Sequence, residues 1–181
     1  AVERTLERSL KPSPKTNEAG AAFADDEFGF LWLIGADVTL RHWFAPSLGV
    51  ELDVGARWAS DTRAVNGTIS TSALESALTL AFATGKVGPF RTNLEVGVVA
   101  AEVRFRGSPL PGAHGTEESA LTVAARLGSR FTLPITPTFL LSLRSGLAFT
   151  LRGATATNNG VAETGTTVSG PYVTFGPSVA F

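Results

Sequence analysis

Several residue types are missing from this sequence, and each absence excludes something. There is no Cys, so neither a disulfide framework nor a thiolate metal site can form. There is no Met either, even at position 1, and we therefore expect a processed, exported protein whose signal peptide has been removed. The longest apolar segment, residues 28–36, is broken by glycines and is too short for a membrane helix. A helical membrane protein is therefore not expected.

Lysine is almost absent as well. Its three copies, Lys11, Lys15 and Lys86, lie near the N-terminus or in a predicted turn, and the formal net charge is -1. Because no basic run could neutralise a phosphate backbone, nucleic acid is not an expected partner. The outer face of a soluble sheet is normally solvated by long polar side chains, so the shortage of lysine also argues against a soluble barrel or sandwich.

The sequence instead contains long alternations of apolar and polar residues. In residues 48–58 every even position is apolar and every odd position is glycine or charged. Successive side chains of a β-strand point to opposite faces, so this segment predicts a strand with one apolar and one polar face. The polar faces carry small residues and few charges, and the chain has 19 glycines. Such faces suit a narrow barrel lumen, with the apolar faces in lipid.

The same alternation predicts eight strands in residues 16–181, in an all-β, closed, antiparallel up-and-down transmembrane β-barrel. The predicted strands are residues 16–24, 28–41, 48–58, 74–83, 90–98, 121–133, 139–152 and 172–181. Residues 25–27 are predicted as a polar turn. Leu31 and Leu33 fall on the polar side of the second strand, so part of the lumen should be apolar. Residues 1–15 are predicted to be a flexible tail, or alternatively a short amphipathic helix.

Two local features refine this pattern. The alternation slips at residues 99–101, which predicts either a β-bulge or the point where the strand leaves the bilayer. Aromatic residues cluster near the strand ends, as two interfacial girdles would. At the ends near the short turns these are Trp43, Phe44, Phe90, Phe139 and Phe181, and at the other ends Trp58, Phe149 and Tyr172.

Short and long connections alternate along the chain. The short ones are residues 42–46, 85–89 and 134–137, whereas those near Gly67 and Asn159 and between residues 107 and 118 are long. Bacterial membrane barrels have tight periplasmic turns and longer external loops. We therefore expect the C-terminus and the short turns in the periplasm and the long loops outside the cell.

The C-terminal strand carries a recognisable signature. It ends in Phe181, with Val173, Phe175 and Val179 at alternate positions before it, and resembles the signal by which the barrel-assembly machinery recognises outer-membrane proteins. The pattern from about residue 28 to the C-terminus resembles the small eight-stranded barrels of the OmpA and OmpX type. This resemblance implies the outer membrane of a Gram-negative envelope, with its lipid and the assembly machinery as partners. Pro177 departs from the pattern, because proline cannot donate to a strand ladder.

Charged residues on the polar faces are predicted to meet across the lumen. The acids come from the second to fifth strands and most of the arginines from the sixth and seventh, and these two arcs face each other in a closed barrel. The predicted network comprises Asp37, Glu51, Asp53, Arg57, Glu75, Arg91, Glu95, Arg126, Arg130, Arg144 and Arg152. It could hold the barrel shut, because an unpaired buried charge is costly. Alternatively, the same pairs could gate an ion path.

No catalytic, cofactor or metal site is predicted. The two histidines, His42 and His114, have no Ser and acid beside them on one strand face, and His114 is expected in a solvated loop. The expected function is therefore that of a structural or interaction protein, an anchor or a subunit of an envelope complex that acts through its loops or tail. The alternatives are a narrow channel for ions or small solutes and a soluble ligand-binding barrel.

Overall fold

The structure is a computed structural model that describes residues 16–28, 31–111, 115–158, 161–166 and 169–181. These residues form strands β1 (Asn17–Phe28), β2 (Leu31–Ala45), β3 (Leu48–Ala59), β4 (Thr62–Ala64), β5 (Gly67–Val87), β6 (Phe90–Pro109), β7 (Glu117–Pro134), β8 (Phe139–Arg152), β9 (Thr155–Asn158), β10 (Val161–Gly165) and β11 (Gly170–Ala180). None of these residues lies in a helix long and apolar enough to cross a membrane. The predicted tail, residues 1–15, and His114 lie outside the described residues.

Eight of the strands pair into a ring. The pairing runs from β1 through β2, β3, β5, β6, β7, β8 and β11 and returns to β1, and each of these pairs is antiparallel. The predicted all-β barrel of eight strands is therefore confirmed. Of the remaining strands, β4 pairs with β5, and β9 and β10 form a separate hairpin.

Side-chain burial alternates along the strands as the sequence predicts. On β3, Glu51 and Arg57 are completely buried, whereas Leu52 and Trp58 are 48% and 57% exposed. The exposed residues form an apolar outer wall, and the polar residues fill the interior. The opposite orientation would place charges in lipid, at about 2–4 kcal/mol for each Arg near the bilayer midplane.

The first strand is longer than the sequence pattern indicates. Residues 25–27, predicted as a turn, belong to β1, which pairs residue for residue with β2 as far as Phe28. The alternation of β1 continues through them, so Asp26 points inward and is completely buried. The prediction was wrong because three consecutive acids resemble a turn in sequence, whereas one of them has cationic partners inside the barrel.

The predicted slip at residues 99–101 is not a bulge. The pairing of β6 with β7 has no register shift, and its pairing with β5 is regular from Asn93 to Pro109. Beyond this point Val103 and Phe105 are buried, and Arg104 is exposed. The polarity of the two faces is reversed there because the outer face now meets water, which agrees with a strand that has left the bilayer.

An apolar cluster lies at this end of the barrel, inside the extended strands. It combines residues of β5 and β6 with two residues at the start of the last long loop. We call it the apolar cap; its buried members are Ile69, Ala73, Ala101, Val103, Phe105, Ala154 and Ala156. A second buried cluster contains Leu31 and Leu33 with Ala148 and Tyr172. Part of the interior is therefore apolar, as predicted.

Candidate functional site: the charged lumen

Two groups of buried charges fill the barrel below the apolar cap. The group nearer the long loops, which we call the loop-end cluster, is held together by two arginines. Arg57 donates from Nε to Asp26 Oδ2 (2.7 Å), from Nη1 to Asp37 Oδ1 (2.6 Å) and from Nη2 to Asp37 Oδ2 (3.0 Å). Arg126 lies 2.9 Å from Asp26 Oδ1 and 2.8 Å from Glu75 Oε1. The cluster therefore joins β1, β2, β3, β5 and β7.

The second group, the turn-end cluster, lies nearer the short turns. Its members are Arg41, Glu51, Asp53, Glu95, Arg130 and Arg144. Arg144 lies 3.0 Å from Asp53 Oδ2 and 2.6 Å from Glu95 Oε2, and it also contacts Glu51. Arg41 and Arg130 each contact both Glu51 and Glu95. Three arginines thus face three acids, across β2, β3, β6, β7 and β8.

Both clusters are shielded from solvent. Each of their arginines is at most 6% exposed, and Glu51 and Glu95 are 0% and 1% exposed. Burial of a charge costs several kcal/mol unless a partner compensates it, and removal of one partner of a buried pair costs about 3–5 kcal/mol. The pairs are therefore interdependent, and they tie together seven of the eight strands of the ring.

Glycines make room for these side chains. A Cβ atom added at Gly55 would collide with Asp37 Oδ1 and lie 2.7 Å from Arg57 Nη1. This close approach of charges to the strand backbone requires glycine. Glycine in the strand interior, which is otherwise unfavourable, here serves the packing of the lumen.

Tyr172 lies in the lumen and not in the loop-end girdle, so that prediction was wrong. Its ring is 2% exposed and lies 4.8 Å from the guanidinium of Arg126, in a cation–π contact. Gly128 and Gly146 face each other across β7 and β8. A Cβ atom added at Gly128 would collide with the Tyr172 hydroxyl oxygen, and one added at Gly146 would lie 2.8 Å from the ring atom Cε1. The sequence carried a signal for this placement, namely parity, by which we mean whether a position in a strand is even or odd. Tyr172 lies at an even position, on the opposite face of its strand from Val173 and Phe175.

The structure brings nine of the eleven predicted network residues into the lumen. Two were predicted there wrongly. Arg91 is exposed because it lies at the turn-end rim of the lumen, where it pairs with Thr132 of β7 and where residues 82–91 are all exposed. Arg152 is exposed because β8 has a bulge at Leu151: Ala124 pairs with Thr150, but Val123 pairs with Arg152. This extra residue turns Arg152 to the outer face.

Two lumen residues were missing from the predicted network, Asp26 and Arg41. Asp26 was assigned to a turn, and Arg41 lies on the polar side of β2 at a position that parity alone would have included. Arg41 also lies 5.4 Å from the ring of Trp43, whose Nε1 donates to Glu18 Oε1 at 3.2 Å. Trp43 is therefore half-buried on the inner side of the turn-end rim and does not belong to the outward-facing girdle in which it was predicted.

The other predicted girdle residues face outward. Phe44, Phe90, Phe139 and Phe181 are 39–59% exposed near the short turns, and Trp58 and Phe149 are exposed toward the other end. The C-terminal signature residues Val173, Phe175 and Val179 also point outward, at 41–49% exposure. Their recognition by the assembly machinery stays a prediction.

No protein-family model matches the chain, and no curated protein matches it. Solved structures do match. The chain is similar to a major outer membrane protein from Thermus thermophilus, with a TM-score of 0.66 and 15% identity over 92% of this chain and 99% of that one. The fold is that of the small outer-membrane β-barrels.

Two further outer-membrane β-barrels show the same likeness. Ail, the attachment invasion locus protein of Yersinia pestis, has a TM-score of 0.51 and 13% identity, over 92% of this chain and 97% of that one. Neisserial surface protein A has a TM-score of 0.51 and 14% identity, over 91% of this chain and 96% of that one. At these identities the likeness is one of fold, and it extends over nearly the whole of each barrel.

Proposed function

We propose that this outer-membrane β-barrel does not conduct and works as a structural or interaction protein, an anchor or a subunit of an envelope complex. The observation that carries the proposal is the ion-paired lumen beneath the apolar cap. A conducting path would have to separate buried pairs such as Arg144–Asp53 and Arg57–Asp37, at about 3–5 kcal/mol for each broken pair. A path would also have to displace Val103 and Phe105 of the cap.

The proposed location is the outer membrane, with the C-terminus and the short turns in the periplasm and the long loops outside the cell. The outer-membrane proteins of the same fold support the location, and the exposed apolar wall supports contact with lipid. The outward-facing C-terminal residues support recognition by the barrel-assembly machinery. The orientation follows the asymmetry of short turns and long loops.

The proposed interaction surface is the part of β5, β6 and β7 that extends beyond the apolar wall, together with the loops around it. Its outer face is polar: Arg104 pairs with Glu102 at 2.9 Å, and Arg106 lies opposite Glu117 in the strand register. Its inner face is held by the apolar cap. A polar sheet on a rigid support can present charges to an envelope protein without the ordering cost of a flexible loop.

Planar-bilayer recording tests the proposal against a narrow gated channel, which is the alternative function. We expect no steady openings from the purified protein, and none from Arg152→Ala, which alters an arginine outside the lumen. Steady openings whose conductance changes in Arg144→Ala would overturn the proposal and establish the channel.

The native mass after gentle detergent extraction tests the role in a complex. A particle much larger than the 18.9 kDa chain would support a subunit of an envelope complex. A single small barrel would favour an anchor that works alone. Release from cells without detergent would contradict the outer-membrane location and favour a soluble ligand-binding barrel.

A further inference from the structure

The ladder between β1 and β11, where the first and last strands close the barrel, is interrupted at one level. The pairing keeps one register from Glu18↔Ala180 to Asp26↔Tyr172. Within this described stretch the pairs are missing at Ala21 and Ala22, which lie opposite Pro177 and Gly176. The other side of β11 is regular, since Gly176 and Pro177 pair with Ser142 and Leu141 of β8. The defect therefore belongs to the closing seam.

Pro177 explains the interruption. A Cβ atom added at Gly20 would lie 2.8 Å from the Pro177 carbonyl oxygen, and one added at Gly176 would collide with the Ala21 carbonyl oxygen. Both carbonyls therefore point across the seam, as in a pair that exchanges two hydrogen bonds. Pro177 has no N–H, so it cannot donate to the Ala21 carbonyl. In a lipid environment no solvent outside the barrel can replace that donor.

A small polar cavity lies directly behind the interruption, on the lumen side. Its volume is about 20 Å³. The lining residues that matter here are Ala21, Ala22, Pro177, Ser178, Arg130 and Arg144. Ser178 is 8% exposed, and among the described residues its hydroxyl has no hydrogen-bond partner. One buried hydroxyl and the backbone carbonyl opposite Pro177 thus adjoin the same space.

We propose that this cavity binds one water molecule, which donates to the Ala21 carbonyl and hydrogen-bonds to the Ser178 hydroxyl in place of the missing Pro177 N–H. A cavity needs about 10–15 Å³ and two to four polar partners to hold a water molecule, and this one has both. A neutral ligand fits better than an anion, because the arginines on the lining, Arg130 and Arg144, already face the acids of the balanced turn-end cluster.

The test is the nuclear Overhauser effect between water and the methyl group of Ala22, in the full chain labelled at alanine methyls and embedded in lipid nanodiscs. A methyl group has no exchangeable proton of its own, so the signal comes from a nearby long-lived water or is relayed by an exchanging hydroxyl such as that of Ser178. Pro177→Ala separates the two, because it leaves that hydroxyl in place. Pro177→Ala restores the donor and should abolish the signal. Pro171→Ala is the matched control, because Pro171 also lies on the outer face of β11, at its loop end, and this change should leave the signal intact.

The proposal is judged by the signal at the Ala22 methyl in the natural chain and in the two proline variants. A signal in the natural chain and in Pro171→Ala, with loss in Pro177→Ala, supports the site. No signal at Ala22 in the natural chain would overturn it, as would a signal of unchanged size in Pro177→Ala. Should Pro177→Ala not fold, Pro177→Gly takes its place, because glycine also supplies the missing N–H and should abolish the signal. A signal of unchanged size in Pro177→Gly would overturn the site.

Discussion

The two charge clusters of the lumen differ in balance. The loop-end cluster holds three acids, Asp26, Asp37 and Glu75, against two arginines, Arg57 and Arg126. The turn-end cluster holds three acids against three arginines, and among the described residues no ion pair joins the two clusters. Each arginine at the loop end therefore compensates more negative charge than one at the turn end.

This difference predicts how the two clusters respond to the same change. In a buried site an uncompensated charge is costly, because the interior solvates it poorly. Loss of a cation should therefore be worse at the loop end, and loss of an acid worse at the turn end. Matched substitutions in the two clusters test this reversal.

The largest effect is expected for Arg57→Ala. This change leaves Asp37 without a cation and three buried acids with Arg126 alone, so the free energy of unfolding should fall toward the upper end of about 3–5 kcal/mol. Arg144→Ala also leaves Asp53 without a cation, but it should cost less, because Arg41 and Arg130 then remain against three acids, whereas Arg57→Ala leaves a single arginine. Urea unfolding in vesicles, followed by tryptophan fluorescence, measures both. Equal losses would contradict the comparison.

When an acid is neutralised instead of an arginine removed, the larger loss of stability should occur in the turn-end cluster. Glu95→Gln leaves three arginines with two acids and removes contacts with three of them, so we expect a loss of about 1.5–3 kcal/mol. Glu75→Gln leaves the loop-end cluster with two acids and two arginines, and it should cost about 1 kcal/mol or less. The same unfolding measurement compares the two. A larger loss in Glu75→Gln would show that charge balance does not govern the clusters.

The packing of Tyr172 against Gly128 and Gly146 gives a third test, at the place where β11 contacts the loop-end cluster. Gly128→Val should displace the ring and cost about 1–3 kcal/mol. In a chain that already carries Tyr172→Ala, the same change should cost clearly less, because the clash with the tyrosine is gone and only the contact with the Ser145 carbonyl remains. Additive losses in the double variant would contradict this account. Unfolding of the two single variants and the double variant measures the coupling.

The smallest effects are expected outside the lumen. Arg91→Ala and Arg152→Ala alter exposed arginines, and each should change the free energy of unfolding by no more than about 0.5 kcal/mol. They are therefore the matched controls for Arg57→Ala and Arg144→Ala. If either variant lost as much free energy of unfolding as a lumen-arginine variant, the altered residue would belong to the buried network after all.

The errors of the sequence-based predictions are of two kinds. Parity along a strand was reliable wherever the strand stayed regular and inside the ring, as at Glu51, Arg57 and Glu75. It was misleading for Arg152, where a bulge intervenes, and for Arg91, which lies at the open rim of the lumen. Neither the bulge nor the position of the rim has a marker in the local sequence. Asp26 and Tyr172, by contrast, obey parity, and their placement could have been predicted from it.

The architecture and the outer wall follow from the amino-acid pattern alone, because period-two alternation assigns each side chain to one of two faces and charges in lipid are too costly for the reverse assignment. Which charges meet depends instead on the folded barrel. Partners such as Arg144 and Asp53 are 91 residues apart along the chain, and they meet because closure of the ring and the stagger of its strands bring β3 and β8 to the same level of the lumen.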